Sequence, residues 1–267
     1  MARIRVIVSG AAGRMGRAAA RAVVGEPGLR LVGALGRSRG VGEDAGVMAG
    51  ITSQGVRIEA DFPALLDRIE ADVLVDFAPG QGAVAHARIA VARGVRPVIG
   101  ATGLTAQDVQ ELTALCEARE VGAVVAPNFA LGAVLMMAFS RQAARYFPHV
   151  EIIELHHDRK RDAPSGTAMK TAQMIAEVRG SVPPPKVQEE ETTPGARGGT
   201  VQDVRVHSVR LPGLVAHQEV IFGAPGQVLT IRHDSVNEES FMPGMLVAIR
   251  RVMELRGMVY GLENLLG

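Results

Sequence analysis

A glycine-rich turn wedged between a strand and a helix constrains this chain more than any other feature. The stretch GAAGRMG (10–16) follows the β-branched run IRVIVSG (4–10). It leads into the alanine-rich RMGRAAARAVVG (14–25), where Gly25 and Pro27 are stop signals. Gly10, Gly13 and Gly16 have the spacing G-x-x-G-x-x-G, a variant of the dinucleotide fingerprint. Glycines at these steps let the backbone turn sharply and approach a pyrophosphate, and the helix N-terminus adds unpaired N–H groups and positive dipole. Arg14 is placed to meet a phosphate. Alone the match is weak, because glycine turns between strands and helices are common.

The surroundings give it weight. LRLVGAL (29–35), DVLVDFA (72–78), RPVIGATG (96–103) and VGAVVAPNF (121–129) read as strands, and GAVAHARIAVARG (82–94) and TAQDVQELTALCEARE (105–120) as helices. Such alternation predicts an α/β fold, a Rossmann-like dinucleotide-binding domain whose parallel sheet is covered on both faces. Near residue 150 the pattern changes. VEIIELHH (150–157), DVRVHSVRL (203–211), LVAHQEVIFGAPG (214–226) and QVLTIRHDS (227–235) read as strands joined by turns, with one helix among them at 167–180. The polar stretch 183–199 reads as a loop whose acidic run is a solvated face. This block predicts a smaller α+β domain with a mixed or antiparallel sheet. The tail, 240–257, is helical and expected to pack back on the first domain. The expected division is 1–128, completed by 239–267, for the dinucleotide and 129–238 for the second domain; 267 residues suit two domains of ~100–200 each.

Composition removes several functions. The 29 basic and 28 acidic side chains nearly cancel, which leaves no electrostatic footprint for nucleic acid. A single cysteine excludes an intramolecular disulfide and points to a reducing, cytoplasmic home. No segment approaches the ~18–20 apolar residues of a membrane span, and MARIRVIVSG reads as a strand rather than a signal peptide.

The stretch ELHHDRKRDAPSGTA (154–168) concentrates imidazoles, cations and a helix start in one loop. Strand alternation puts Val150, Ile152, Glu154 and His156 on one face, with Ile153, Leu155 and His157 on the other. Adjacent histidines on a strand do not chelate one metal readily, and no H-x-x-x-H or cysteine set exists, so no metal is expected. His86, His149, His207 and His217 read as structural. Arg159, Lys160 and Arg161 beside a helix opened by Ser165, Gly166 and Thr167 suit a carboxylate-bearing small molecule, and an imidazole beside them can deliver a proton. After the second strand, GRSRG (36–40) offers Arg37 and Arg39 to a ribose phosphate where NAD enzymes place a carboxylate. That favours NADPH, with NADH also plausible; the blander alternative is a solvated surface turn. The nearest rival is another two-domain NAD(P)H dehydrogenase of amino-acid metabolism, such as a semialdehyde or homoserine dehydrogenase; the former needs a nucleophilic cysteine, and Cys116, spaced with Leu112 and Leu115 as a buried helix face, argues against it. A non-catalytic NAD(P)H sensor would have no use for the histidine loop.

The histidine-loop motif closely resembles the signature of the dihydrodipicolinate reductase family, enzymes of diaminopimelate and lysine synthesis. The resemblance extends to GAAGRMG, VDF (75–77), GATG (100–103), APNF (126–129) and the HDS…SF…PG segment (233–244). It implies NAD(P)H-dependent reduction of 4-hydroxy-tetrahydrodipicolinate, with His156 as acid/base and Lys160 as the second catalytic group. It further implies His157, Gly166, Thr167 and Thr102 around a dicarboxylate substrate. Cofactor contacts are implied at Gly10, Ala11, Ala12, Gly13, Arg14, Met15, Gly100, Ala101, Thr102, Ala126, Pro127, Asn128 and Phe129, to which the turn after the second strand adds Arg37 on the residue reading alone. The family's members are homotetramers joined through the sheets of the second domain, and substrate is expected between the domains, with closure excluding water. This chain departs from the family pattern at Gly36, Ala78-Pro79, Ala101 and Glu238, positions that bear on cofactor preference and hinge contacts.

Overall fold

The structure, a computed structural model, describes residues 3–101, 103–182 and 190–266. The chain forms two compact units, one from residues up to Phe129 together with those from Glu238 onward, the other from Ala130–Asn237. The first unit begins β1 (Ile4–Ser9), α1 (Arg14–Gly25), β2 (Leu29–Leu35), α2 (Ala45–Met48), β3 (Ile58–Glu59) and α3 (Phe62–Leu66). It continues β4 (Val73–Asp76), α4 (Gly80–Ala92), β5 (Arg96–Ile99), α5 (Ala106–Arg119) and β6 (Ala123–Val125). The second unit holds α6 (Leu131–Ala143), β7 (His149–His156), α7 (Gly166–Ala176), β8 (Gly199–Val201), β9 (Val204–Arg210), β10 (Ala216–Ala224) and β11 (Gln227–Ser235). The chain then returns to the first unit through α8 (Met242–Arg251) and β12 (Met258–Tyr260).

A parallel sheet between two helix layers has no wet face, so its strands are apolar without alternation. Val6, Ile7 and Val8 of β1, Val73, Leu74 and Val75 of β4, and Val98 and Ile99 of β5 are all buried. The strand order is β12-β6-β5-β4-β1-β2-β3, every pair parallel. The order reverses between β1 and β4. In open α/β sheets ligands bind off the carboxyl ends of the strands at that reversal, and the glycine turn leaves β1 there. β4, β5 and β6 are shorter than the expected 72–78, 96–103 and 121–129, because Phe77, Gly100 and Ala126 leave the ladder to build loops on this edge.

The second unit's sheet runs β11-β10-β7-β9-β8 and is mixed: β7 pairs antiparallel with β10 and parallel with β9. Val150, Ile152 and Glu154 of β7 alternate with half-buried neighbours, so the face they share is the covered one. Helices α6 and α7 pack together in this unit, α7 also against β7 and β9. The sequence predicts one helix here, at 167–180; the structure has two, and α7 stops at Ala176. Helix α6, LGAVLMMAFSRQA, is apolar on more than one side, with Leu135 and Phe139 exposed beside buried Val134, Met136 and Met137. A helix without a polar stripe gives no amphipathic signal. No helix among the described residues is long and apolar enough to cross a membrane.

Candidate active site

The first unit presents an anion cradle. Gly10 adopts φ +73°, which turns the chain out of β1. A Cβ on Gly16 would lie 2.1 Å from the Gly10 carbonyl oxygen, so only glycine lets α1 start this close to the loop. Gly13 is the N-cap residue and no side chain caps the helix, which leaves the amides of the first turn, from Arg14 and Met15, to be met by something else. Ala11 donates its N–H to the Leu35 carbonyl at 3.0 Å and so ties the loop to β2. Arg14 pairs with Glu238 at 3.1 Å while remaining 70% exposed. Arg37 and Arg39 stand exposed in the turn after β2.

The other expected cofactor residues lie off the ends of β5 and β6, the same edge of the sheet. A Cβ on Gly100 would come within 2.5 Å of Phe77 and 2.8 Å of Phe129, two rings that meet edge to face at 6.2 Å. Glycine is required because both aromatics close over it. Ala101, Ala126 and Phe129 are buried, whereas Pro127 is exposed and Asn128 half-buried. Thr102 lies outside the described residues. Sequence reasoning missed Asp76: fully buried, it accepts from Ala78 N–H at 2.7 Å and meets His86 Nδ1 at 2.7 Å. The VDF signature thus carries the carboxylate that shapes the turn after β4.

In the second unit, β7 delivers His156 opposite Arg210 of β9, and Glu154 opposite Ser208. Glu154 is a carboxylate with 0% exposure. It meets His156 Nδ1 at 2.5 Å and accepts from Arg210 Nη1 at 2.9 Å, Arg210 Nη2 at 2.6 Å and the Ser165 amide at 3.2 Å. Burial pushes its pKa up, but the hydrogen bonds from His156, Arg210 and Ser208 prevail and hold it down at about 2. The His156 side chain is 14% exposed. His157 lies beyond the strand's end, its Nδ1 buried with no hydrogen-bond partner among the described residues, an atom that a carboxylate or water would satisfy. Lys160, 21% exposed, is held by Asp162 at 2.9 Å. Ser165 caps α7 by accepting from Ala168 N–H at 3.2 Å, and Gly166 and Thr167 form its first turn. The structure therefore brings His156, Lys160 and the α7 N-terminus into one region, with Glu154 and Arg210 as members that sequence reasoning did not assign. The strand alternation did place Glu154 beside His156; nothing local announces Arg210. Among the described residues no cluster of three or more His, Cys, Asp or Glu could hold a metal ion.

The lone thiol is fully buried in α5, and burial, with Glu117 adding to it, pushes the Cys116 pKa up to about 11. A thiol kept protonated and out of solvent cannot serve as a nucleophile.

Known proteins of the same build carry the comparison further. Residues 4–129 match the family profile "Dihydrodipicolinate reductase, N-terminus" and residues 132–266 match "Dihydrodipicolinate reductase, C-terminus". The chain is 55% identical to the 4-hydroxy-tetrahydrodipicolinate reductase of Moorella thermoacetica over 266 residues, 100% of this chain and 99% of that one. It is 50% identical to the protein of the same name from Synechocystis sp., covering 98% of each. Among solved structures it superposes with TM-score 0.86 on a dipicolinate-bound dihydrodipicolinate reductase from Paenisporosarcina sp. TG-14, at 46% identity over 98% of this chain and 99% of that one.

Proposed function

The chain belongs to the dihydrodipicolinate reductase family, and from that premise we propose that it reduces 4-hydroxy-tetrahydrodipicolinate to tetrahydrodipicolinate and water in diaminopimelate and lysine synthesis. The observation that carries the reading is one short stretch of the second unit, from His156 at the end of β7 through Lys160 to the first turn of α7. The first unit fits a nicotinamide dinucleotide: an uncapped helix N-terminus, a loop only glycine can form, and the carboxyl edge of a parallel sheet. A bound reduced nicotinamide supplies a hydride to the conjugated C=C–C=N system of the dehydrated substrate.

The residues do the rest. The loop from Gly10 to Met15 meets the pyrophosphate, for which Arg14 exchanges Glu238, and Gly100, Ala101 and 126–129 line the remaining length. Arg37 faces the ribose phosphate and makes NADPH the preferred cofactor, NADH the second. His157, Gly166 and Thr167 take the substrate's carboxylates; a dicarboxylate as the ligand class is supported by the dipicolinate bound to the Paenisporosarcina relative. Lys160, poised by Asp162, adds positive charge beside them. His156 gives a proton to the enamine carbon left after hydride addition and is reprotonated from water. A homotetramer is part of the reading, supported by β11, an outer strand of its sheet that leaves Val228 70% and Leu229 36% exposed.

The test is an assay of the purified protein with enzymatically generated substrate, followed by cofactor absorbance. Substrate-dependent oxidation of NADPH is expected. Binding of cofactor without turnover would instead make the protein a sensor.

A further inference from the structure

A buried carboxylate two residues before the acid is hard to explain as packing. An ion with no exposure sacrifices its hydration, a heavy penalty unless partners replace it. Here four donors do so from three places: His156 on the same strand, Arg210 and (by its effect on the carboxylate's acidity) Ser208 on β9, and the Ser165 amide at the start of α7. Arg210 reaches further, donating to the Asp162 carbonyl at 2.6 Å, so the loop that carries Lys160 hangs from the same group.

We propose that Glu154, clamped by Arg210, is the positioning residue that holds the Nδ1–H of His156 and so makes Nε2 the atom that exchanges the proton. The inference rests on His156 being the acid of the proposed reaction. An imidazole in solution rotates and shares its proton between two nitrogens; one locked acceptor at Nδ1 removes both freedoms. In the proton transfer the Nε2–H bond breaks as the substrate's C–H bond forms. The imidazolium becomes neutral imidazole with Nδ1–H still on Glu154, and water restores the Nε2 proton. Arg210 keeps the carboxylate ionised and partly offsets its charge, so Glu154 acts chiefly as a fixed acceptor rather than as a sink for the proton. Because Ser165 shares that carboxylate, the acid and the turn proposed to bind a substrate carboxylate are referenced to one group.

Two measurements test this. With the histidine rings labelled with nitrogen-15, His156 in the neutral form should show a protonated Nδ1 and a bare Nε2; the reverse tautomer overturns the proposal without any variant. In Glu154→Gln, Arg210 takes the amide oxygen and leaves the NH2 facing Nδ1, which favours the wrong tautomer and disfavours imidazolium. Arg210 on β9 and the Lys160–Asp162 pair in the following loop, which Arg210 ties to the same cluster, keep their charges in the variant. The limb of kcat that needs the protonated acid should therefore move to lower pH, and kcat at neutral pH should fall by about 10²–10⁴-fold. NADPH affinity, a property of the other unit, should stay within about twofold of wild type. If Glu154→Gln fails to fold, Arg210→Lys keeps the charge but loses the two-pronged grip, and an intermediate kcat with the same direction of pH shift is expected. Folded variants with wild-type kcat and pH profile overturn the proposal. A wild type that never turns over substrate sinks the functional reading instead, which the tautomer measurement does not depend on.

Discussion

Arg37 stands exposed where a dinucleotide fold inspects the adenosine ribose, and no carboxylate accompanies it in the turn 36–40. An exposed guanidinium–phosphate pair contributes little, so Arg37→Ala should raise the KM for NADPH by no more than about fivefold and leave that for NADH unchanged. Equal effects on both cofactors would mean that this turn does not read the phosphate. The reverse design, Gly36→Glu, is a poor test. A Cβ there would lie 2.9 Å from Ile58 Cγ2 and 3.2 Å from the Arg39 carbonyl, so the variant would strain the turn before its carboxylate acted. At the proposed acid, His156→Gln should lower kcat by about 10²–10⁴-fold while cofactor binding holds. Near-normal turnover at neutral pH would place the acid elsewhere.

Helix α7 tests the substrate site at the scale of an element. Its first turn, Gly166 and Thr167 with Ser165 capping from inside, is the turn proposed to take a substrate carboxylate. Thr167→Val should weaken competitive inhibition by dipicolinate by ~1–2 kcal/mol, the worth of one hydrogen bond to a charged group. An unchanged inhibition constant would remove α7 from the site. Elements also show what sequence can and cannot announce. The strands of the parallel sheet were legible because burial on both faces leaves uninterrupted apolar runs, and α5 because Thr105 and Asp108 form a capping box at its start. Strands β3 and β12, two and three residues long, carry too little pattern to be seen. Helix α6 escaped because it is apolar nearly all round. Within the candidate site, the roles proposed for His156, Lys160 and Thr167 come from one stretch, 154–168, that holds them all. Arg210 reaches Glu154 from 56 residues away through the β7–β9 pairing, and register between distant strands leaves no local trace.

The whole molecule should be sensitive to acid. Glu154 titrates at about 2 in the fold against an ordinary 4.5, and ion pairs or hydrogen bonds also hold Glu151, Asp72, Asp162 and Asp234 below their usual values. Each depressed carboxylate contributes stability that is present above its unfolded pKa and is lost as pH falls through its folded one. For Glu154 the window runs from 4.5 down to about 2. The urea midpoint, followed by circular dichroism, should therefore decline steadily from about pH 5 to pH 3; a flat profile would show that these contacts do not stabilise the fold. The path of the chain has a consequence of another kind. The first unit is written in two pieces around the second, and its outermost strand, β12, pairs with β6 while α8 packs on α1. During synthesis, six of its seven strands leave the ribosome long before the seventh. The half-made sheet must wait with the edge of β6 bare while 108 residues, Ala130–Asn237, are translated. Such a chain relies on residues Glu238–Gly267 to close a sheet begun by its first strand, and a message cut short between β6 and β12 yields a first unit whose β6 edge can still pair with a stranger's strand.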